Sequence, residues 1–542
     1  MRVLLVNPEM PPSYWTLRQT CRLQGCKTVS PPLGLITVAA LLPQEWELRL
    51  ADLDARPMKE DDWQWAEMVM FTGMIVQRQN LLNLIREAKQ RGKTVVVGGP
   101  YPTSMPEEVL DAGCDFLVRG EAENTIAFFL DALKKGETGG VFQNREKPDL
   151  TTSPVPRFDL LHLNDYVLLS VQTSRGCPFD CEFCDVVSLY GRKPRYKEPR
   201  QVLAELTAIQ RLGWQREIFF CDDNFIGNKA HARKILDRLI PWSESNGSPY
   251  SFWTQTSVNL GHDRAMIDLL TRANFSNVFI GIESPDEDVL ALTGKHQNIR
   301  HPLEETLNNI RDNGLNVVGS FIIGFDGEKP GAGERIGSLV EATNIPVVML
   351  NLLQPPPHTK LWRRLEKEGR LLEGRLHEAG TNLDSTGGRL IYLPTRPEEQ
   401  IMSEYFYLWD YLYEPSRFLA RTYRYILAMR PTRRALAQSR GEPVTDGHPR
   451  RTLPLKQRLK NLVQFLAISW RQGGCPSYRW QYWRQLLGIY RNNPSRLVKY
   501  IGICGIGEDM FSLRETLRRK MWPGDSAGDP KERGQARSQG RK

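Results

Sequence analysis

The feature that most restricts the fold is an alternation of buried-strand runs with amphipathic stretches, and it occurs twice. Over residues 1–150 the apolar runs RVLLVNP, WELRLADLD, EMVMFTGM, TVVVGGP and FLVRGE are separated by LITVAALLP, NLLNLIREAKQRGK and MPEEVLDAG, which have helical length and spacing. Strand–helix–strand repetition predicts an α/β domain with a doubly wound, flavodoxin-like parallel sheet. KPDLTTSPVPRFDLL carries three prolines and reads as a linker, centred on 151–165. A second series follows over 166–390: YVLLSVQTS, REIFFCDD, YSFWTQTSV, NVFIGIES, NVVGSFIIGF and PVVMLNLL. Six strands with intervening helices predict a partial (β/α)6 barrel of the TIM type. On both kinds of sheet, ligands sit beyond the carboxyl ends of the strands.

The pattern changes near Pro394. Residues 391–521 read as a helical, aromatic and basic extension, and 522–542 lack the apolar content to fold and are expected to be a disordered tail. Of the net charge of +9, residues 391–542 contribute +15, from 28 Lys and Arg against 13 Asp and Glu, leaving −6 elsewhere. Basicity is therefore local and points to an acidic partner or surface near that end. No apolar run approaches the ~20 residues of a membrane span, and the opening MRVLLVNPEMPPSYW lacks a signal-peptide pattern. A cytoplasmic protein is expected, with disulfides an improbable use of its nine cysteines.

Three of those cysteines cluster. SRGCPFDCEFCD places Cys177, Cys181 and Cys184 in one loop, straight after the first strand of the second series. Thiolates bind zinc, copper or iron–sulfur clusters. A closed zinc site wants four ligands, and no second pair follows downstream. A four-iron cubane held by three cysteines keeps one iron open. A zinc loop, or three cysteines clustered by chance, is the plainer alternative.

The C-x3-C-x2-C loop in this position resembles that of the radical S-adenosylmethionine superfamily. The resemblance implies a 4Fe-4S cluster on Cys177, Cys181 and Cys184, with Phe183 as the customary aromatic before the third cysteine and S-adenosylmethionine on the open iron. It further implies cofactor contacts from Asp222, Asp223 and Asn224 after the second strand, where the commoner Gly-Gly-Glu form is absent. Ser257 and Asn259 follow the third strand, Glu283 the fourth and Gly324 the fifth, where Gly319 also stands. Arg175 is expected to steady the loop. Helix caps for Asp223, Asn224 and Glu283, and simple turns for the glycines, are the competing structural readings. An external electron donor such as flavodoxin or ferredoxin is implied as well.

PPLGLITVAALLP, VVVGGPYPTSMPEE and FLVRGEAEN resemble the cobalamin-binding domain that precedes many such barrels. Thr72, Gly73, Gly98, Gly99, Tyr101 and Thr103 are the residues implied to face a corrin. The D-x-H-x-x-G motif that supplies histidine to cobalt in many cobalamin proteins is absent.

The whole resembles the hopanoid C-2 methylase-like group, whose members carry a helical C-terminal extension. This implies a methyltransferase acting on an unactivated carbon through a 5′-deoxyadenosyl radical, with a lipid-like or natural-product substrate. A radical cyclisation or rearrangement without methyl transfer, and a non-catalytic iron–sulfur regulatory module, are the alternatives. No catalytic residue is assigned. In LKQRLKNLVQFLAISW, Leu455, Leu459, Leu462, Val463 and Leu466 fall at helical spacing beside Lys456, Arg458 and Lys460. Such a helix can lie on an anionic bilayer, although packing of the stripe against the barrel is the favoured expectation. No RNA- or DNA-binding module is seen, which argues against a nucleic-acid partner.

Overall fold

The computed structural model describes residues 1–372, 389–441 and 455–521, without the side chains of 455–458, 520 and 521. The expected tail, 522–542, lies outside the described residues. The first sheet is six-stranded and wholly parallel. Its strands are β1 (Arg2–Asn7), β2 (Glu47–Asp52), β3 (Met68–Phe71), β4 (Thr94–Gly98), β5 (Phe116–Arg119) and β6 (Gly140–Gln143). They run in the order β2-β1-β3-β4-β5-β6, a flavodoxin-like order with its switch point beside β1. The central strands bury nearly every residue because helices cover both faces. β6 extends the expected set of five. Its burial alternates, as suits an edge strand.

The second sheet contains β7 (Leu168–Val171), followed by a two-stranded ribbon of β8 (Ser174–Arg175) and β9 (Arg195–Tyr196) that frames the cysteine loop. It continues through β10 (Glu217–Phe220), β11 (Ser251–Thr256), β12 (Phe275–Glu283), β13 (Asn316–Ile323) and β14 (Val348–Leu352). All pair in parallel, in the order β14-β13-β12-β11-β10-β7. This is an open, six-stranded barrel segment.

Helices Glu398–Leu412, Pro415–Ala428, Leu455–Gly473, Arg479–Asn492 and Leu497–Met521 form the C-terminal region. Buried polar anchors join the end of the first and the body of the second of these to the amino ends of the closing strands. Tyr425 Oη accepts the Val317 N–H at 2.8 Å, and Tyr413 Oη accepts that of Val348 at 3.0 Å. Arg421, fully buried, donates to the carbonyls of Ile345, Pro346 and Leu412 and pairs with Glu341 at 3.2 Å.

The stripe on Leu455–Gly473 departs from the packing expectation. From Leu459 onward it faces solvent, with Val463 at 64% and Trp470 at 72% exposure, while Ile468 and Ser469 turn inward. Arg479–Asn492 packs beside it and exposes Trp480, Trp483, Leu487 and Tyr490. The side chains of Leu455, Lys456 and Arg458 lie outside the described residues. No described helix is long and apolar enough to cross a membrane.

Candidate cofactor site

The carboxyl ends of the two sheets meet across a cavity of about 560 Å³. One wall comes from the first sheet: Thr72, Gly73, Gly98, Gly99, Thr103 and the Gly120–Glu123 turn. The opposite side holds Gln172, Arg175, Tyr190 and Cys221 from the barrel. Pro31 and Pro32 bring in helix Leu33–Leu41, whose first turn also lines the space.

Close packing requires glycine at two positions of this wall. Gly99 has φ +105°, and a Cβ there would stand 2.6 Å from Thr72 Oγ1 and 3.2 Å from the Gly73 nitrogen. A Cβ on Gly73 would meet Leu81 at 2.8 Å. Thr103 lines the cavity, but its hydroxyl is engaged in the turn, donating to the Gly99 carbonyl at 2.7 Å and accepting from Gly120 N–H at 2.9 Å. Tyr101 does not line the cavity, contrary to expectation. It is buried, with its hydroxyl on Glu108, which in turn pairs with Arg78. A cavity lined by these glycines and by apolar side chains such as Val38, Met70 and Val118, with no histidine among its lining residues, fits a flat macrocycle without a histidine ligand from this chain.

Arg175 joins the two domains. Its guanidinium binds Glu121 at 2.6 Å and Glu123 at 2.9 Å, while Arg195 takes the other Glu121 oxygen at 2.9 Å. Burial acts to raise the Glu123 carboxyl, and Arg175 more than offsets it, leaving the group below its usual range. The loop that begins at Arg175 is thereby fixed against the first sheet as well as held from within.

That internal hold comes from residues expected to face the cofactor. Asp222 is fully buried, and accepts from Thr173 N–H at 2.6 Å, Thr173 Oγ1 at 2.5 Å and Ser174 N–H at 2.8 Å. Asp223 accepts from Gly176 N–H at 2.7 Å. Burial raises both carboxyls to about 6. Asp222, expected to contact the cofactor, here braces the strand-to-loop backbone. Asn224 differs: its Nδ2 donates to Ser257 Oγ at 3.1 Å, and its buried Oδ1 has no partner among the described residues. Ser257 donates on to Asn259 Oδ1 at 2.5 Å, and the neighbouring Thr256 hydroxyl is also buried without a partner. Unsatisfied buried polar atoms are costly. At the barrel mouth these fit a polar co-substrate that completes them.

Cys177, Cys181 and Cys184 are half-buried and free. Among the described residues no three His, Cys, Asp or Glu side chains converge on one metal-ion position; a cubane needs one thiolate per iron, not a shared point. Burial raises all three thiols, Cys177 to about 11, and the Lys295 ammonium opposes this at each. Lys295 pairs with Glu283 at 2.5 Å and lies 5.7 Å over the Phe183 ring. Phe183 in turn packs on Phe325 at 5.5 Å. Glu283 has φ +69°, and Gly281 makes room for the pair, since a Cβ there would fall 2.2 Å from Glu283 Oε1 and 2.9 Å from Lys295 Nζ. Lys295 and Gly281 were not legible as site residues. The one available signal is a lysine shortly after the helix that follows Glu283. Three thiols around a buried cation fit an anionic cluster, because thiolates are the ligand form.

Gly324 belongs to a turn. Its φ is +106°, its N–H donates to Glu328 at 2.9 Å and its carbonyl accepts from Tyr392 at 2.6 Å. Gly319 is packed, its missing Cβ 3.1 Å from Ile282.

Three families match this chain: a B12 binding domain at residues 24–130, the radical SAM superfamily at 171–337 and a domain of unknown function at 359–521. An uncharacterized methyltransferase of Synechocystis is 45% identical, over 96% of this chain and 93% of the relative. The hopanoid C-2 methylase of Rhodopseudomonas palustris is 31% identical, over 89% of this chain and 88% of its own. The chain belongs to the cobalamin-dependent radical S-adenosylmethionine enzymes.

Solved enzymes share the fold of this family member. The cobalamin-dependent enzyme OxsB, solved with aqua-cobalamin, superposes with TM-score 0.57 at 16% identity over 96% of this chain and 80% of its own. The methyltransferase TsrM from Kitasatospora setae gives 0.55 at 18% identity over 68% and 76%. The enzyme's cofactors are a 4Fe-4S cluster, S-adenosylmethionine and cobalamin.

Proposed function

We propose that the enzyme methylates an unactivated carbon of a lipid-like, hopanoid-type substrate held between the glycine-lined sheet edge and the barrel mouth. The observation that carries this is the shared cavity: Thr72, Gly73, Gly98, Gly99 and Thr103 of the first sheet open onto one space with Gln172 and Cys221 at the carboxyl ends of β7 and β10 and with Tyr190, beside the Arg175 clamp; the three cysteines themselves do not line it. When bound, the cofactors supply a hydrogen-abstracting radical and the methyl group. The chain's own residues position and exclude. Cys177, Cys181 and Cys184 would hold the cluster, beside the Lys295 cation. Phe183, Asp223, Asn224, Ser257, Asn259 and Glu283 would orient S-adenosylmethionine, and Gly73, Gly98 and Gly99 would admit the corrin. A flavodoxin- or ferredoxin-type donor would supply the electron.

The lipid assignment is supported by the exposed face of Leu455–Gly473 and Arg479–Asn492. Residues 455–499 contain nine Lys and Arg and no Asp or Glu. Exposed Leu, Val, Trp and Tyr among cations suit an anionic membrane surface, from which an apolar substrate could pass to the cavity.

The test is anaerobic reconstitution with iron, sulfide, hydroxocobalamin, S-adenosylmethionine and reductant, followed by mass analysis of an added hopanoid. Methyl transfer predicts 5′-deoxyadenosine, S-adenosylhomocysteine and a product heavier by one methylene. Deoxyadenosine with no S-adenosylhomocysteine and a rearranged product would replace the proposal with cyclisation or rearrangement.

A further inference from the structure

The side of the barrel away from the cofactors has a second concavity, of about 380 Å³. It lies where β12 and β13 begin, beneath the Arg430–Thr432 turn, the start of the short helix Arg433–Ser439 and the turn carrying Arg496. Five arginines line it, Arg272, Arg430, Arg433, Arg434 and Arg496, and no Asp or Glu does. Arg433 is the only one of the five with a carboxylate partner among the described residues, the exposed Asp268 outside the cavity.

Arg496 carries most of the argument. It is 8% exposed, and its two bonds go to carbonyls, Nε to Arg430 at 2.8 Å and Nη2 to Gly314 at 3.1 Å. Burying a guanidinium without a counter-ion is expensive, and Arg430 beside it adds repulsion. The wall is nevertheless held in place. Thr432 N–H donates to Ser495 Oγ at 3.1 Å, fixing the Arg430–Thr432 turn to the Arg496 turn, and Arg433 Nε donates to Thr271 Oγ1 at 3.1 Å. The concavity thus gathers four guanidiniums, Arg272, Arg430, Arg434 and Arg496, that have no carboxylate partner among the described residues, one of them buried.

We infer that this concavity binds a phosphate monoester or diphosphate. Arginine's planar fork matches phosphate oxygens in pairs, and several forks on one wall favour a multiply charged group over a carboxylate. The volume exceeds that of one phosphate, leaving room for a second phosphate or the start of an organic substituent. The same chemistry could come from a soluble phosphate ester or from a phosphomonoester lipid headgroup. Neither the cluster nor cobalamin takes part, so the site stands apart from the methyl-transfer proposal.

The test uses the full chain. Pyrophosphate and inorganic phosphate are titrated calorimetrically at ionic strength matched with chloride. Vesicles of phosphatidylcholine with phosphatidic acid, or with the diester phosphatidylglycerol, are compared by co-sedimentation. Arg272→Gln and Arg434→Gln alter rim arginines rather than the buried Arg496, and Arg200→Gln, on the exposed surface of the barrel, is the control. The expected result is saturable pyrophosphate binding at one site, weakened at least tenfold in either rim variant and unchanged in the control. A preference for phosphatidic acid over phosphatidylglycerol that vanishes in the rim variants assigns the ligand to a lipid headgroup; pyrophosphate binding without that preference assigns it to a soluble ester. No saturable binding of either phosphate and no lipid preference, or binding equally affected in all three variants, overturns the inference.

Discussion

Replacing Arg175 with alanine removes a cation shared by two nearly inaccessible carboxylates. Glu121 keeps Arg195 at 2.9 Å, whereas Glu123 keeps no cation among the described residues, only the Ser153 hydroxyl at 3.2 Å and a backbone amide. Breaking a buried pair by deleting one partner costs about 3–5 kcal/mol, chiefly for the charge left behind. That is about two to four orders of magnitude in the equilibrium that closes the first domain on the cysteine loop. Hydrogen exchange reads this directly. Residues 120–126 and 173–177 should lose protection, while β3, β4 and β12 keep theirs. The sign of the pH response follows from Glu123. In the native chain its carboxyl is held low, so its stabilisation is present above the unfolded value and is lost as pH falls through the folded one. Without Arg175, burial is opposed only by the Ser153 hydroxyl and a backbone amide, and the carboxyl rises. The variant's deficit should then be largest near neutrality and shrink towards pH 5 as Glu123 takes a proton. Arg175→Ala combined with Glu123→Gln should recover most of the loss. Unchanged exchange in the single variant, or a deficit that grows on acidification, would refute the reasoning.

Alanine at Cys177, Cys181 or Cys184 should each abolish the cluster's absorbance and iron content while leaving the circular dichroism of both sheets intact. Gly99→Ala forces a Cβ against Thr72 at a φ that L residues avoid; a strain of about 1–3 kcal/mol should appear as a lowered melting temperature and reduced corrin retention after gel filtration. Lys295→Met leaves Glu283 buried and unpaired, costing about 3–5 kcal/mol. Loss of the cation should also move the cluster's midpoint to more negative potential in a titration followed by electron paramagnetic resonance. Trp470→Ser with Trp480→Ser should weaken flotation with anionic vesicles at least tenfold without changing the melting temperature, since both rings are 72% exposed.

Strands were legible where burial on both faces turned them into unbroken apolar runs. β1, β3, β4, β5, β7, β13 and β14 announce themselves in this way; β2, β10, β11 and β12 bury only some of their residues, and their apolar, aromatic and β-branched content between turn residues marked them instead. β6 escapes both signals, because its glycine-led tetrapeptide is half-buried at alternate positions and buried at none. The cysteine spacing was equally plain, since its chemistry is local. The Asp222–Asn224 triplet shows where local reading fails. Three polar residues at a strand end look alike, yet two of them serve backbone amides of a loop nearly fifty positions earlier, and only Asn224 keeps a buried acceptor open. Which one remains available is decided by strand pairing, which composition does not encode. Lys295 was hidden for a related reason: a lone lysine reads as solvated until the fold buries it against Glu283.

The exposed stripe turns on the same competition. Its periodicity states that one face of Leu455–Gly473 is apolar, but not what covers it. In this chain the inward positions are taken by Ile468, Ser469 and Gln472, which meet Tyr482 and Cys504. The helix thus has two usable faces, and the smaller, partly polar one packs because it can hydrogen-bond to its neighbours. The more apolar face is left outward, between helices that carry only cations over residues 455–499. Leaving that surface in water forfeits about 25 cal/mol for each Å² that burial would have gained. A fold that packed the smaller face leaves the larger one open to something outside the chain; the proposed anionic membrane surface fits it better than a second copy of this domain, because residues 455–499 carry cations and no Asp or Glu, even though Glu508 pairs with Arg471 at the helix's far end.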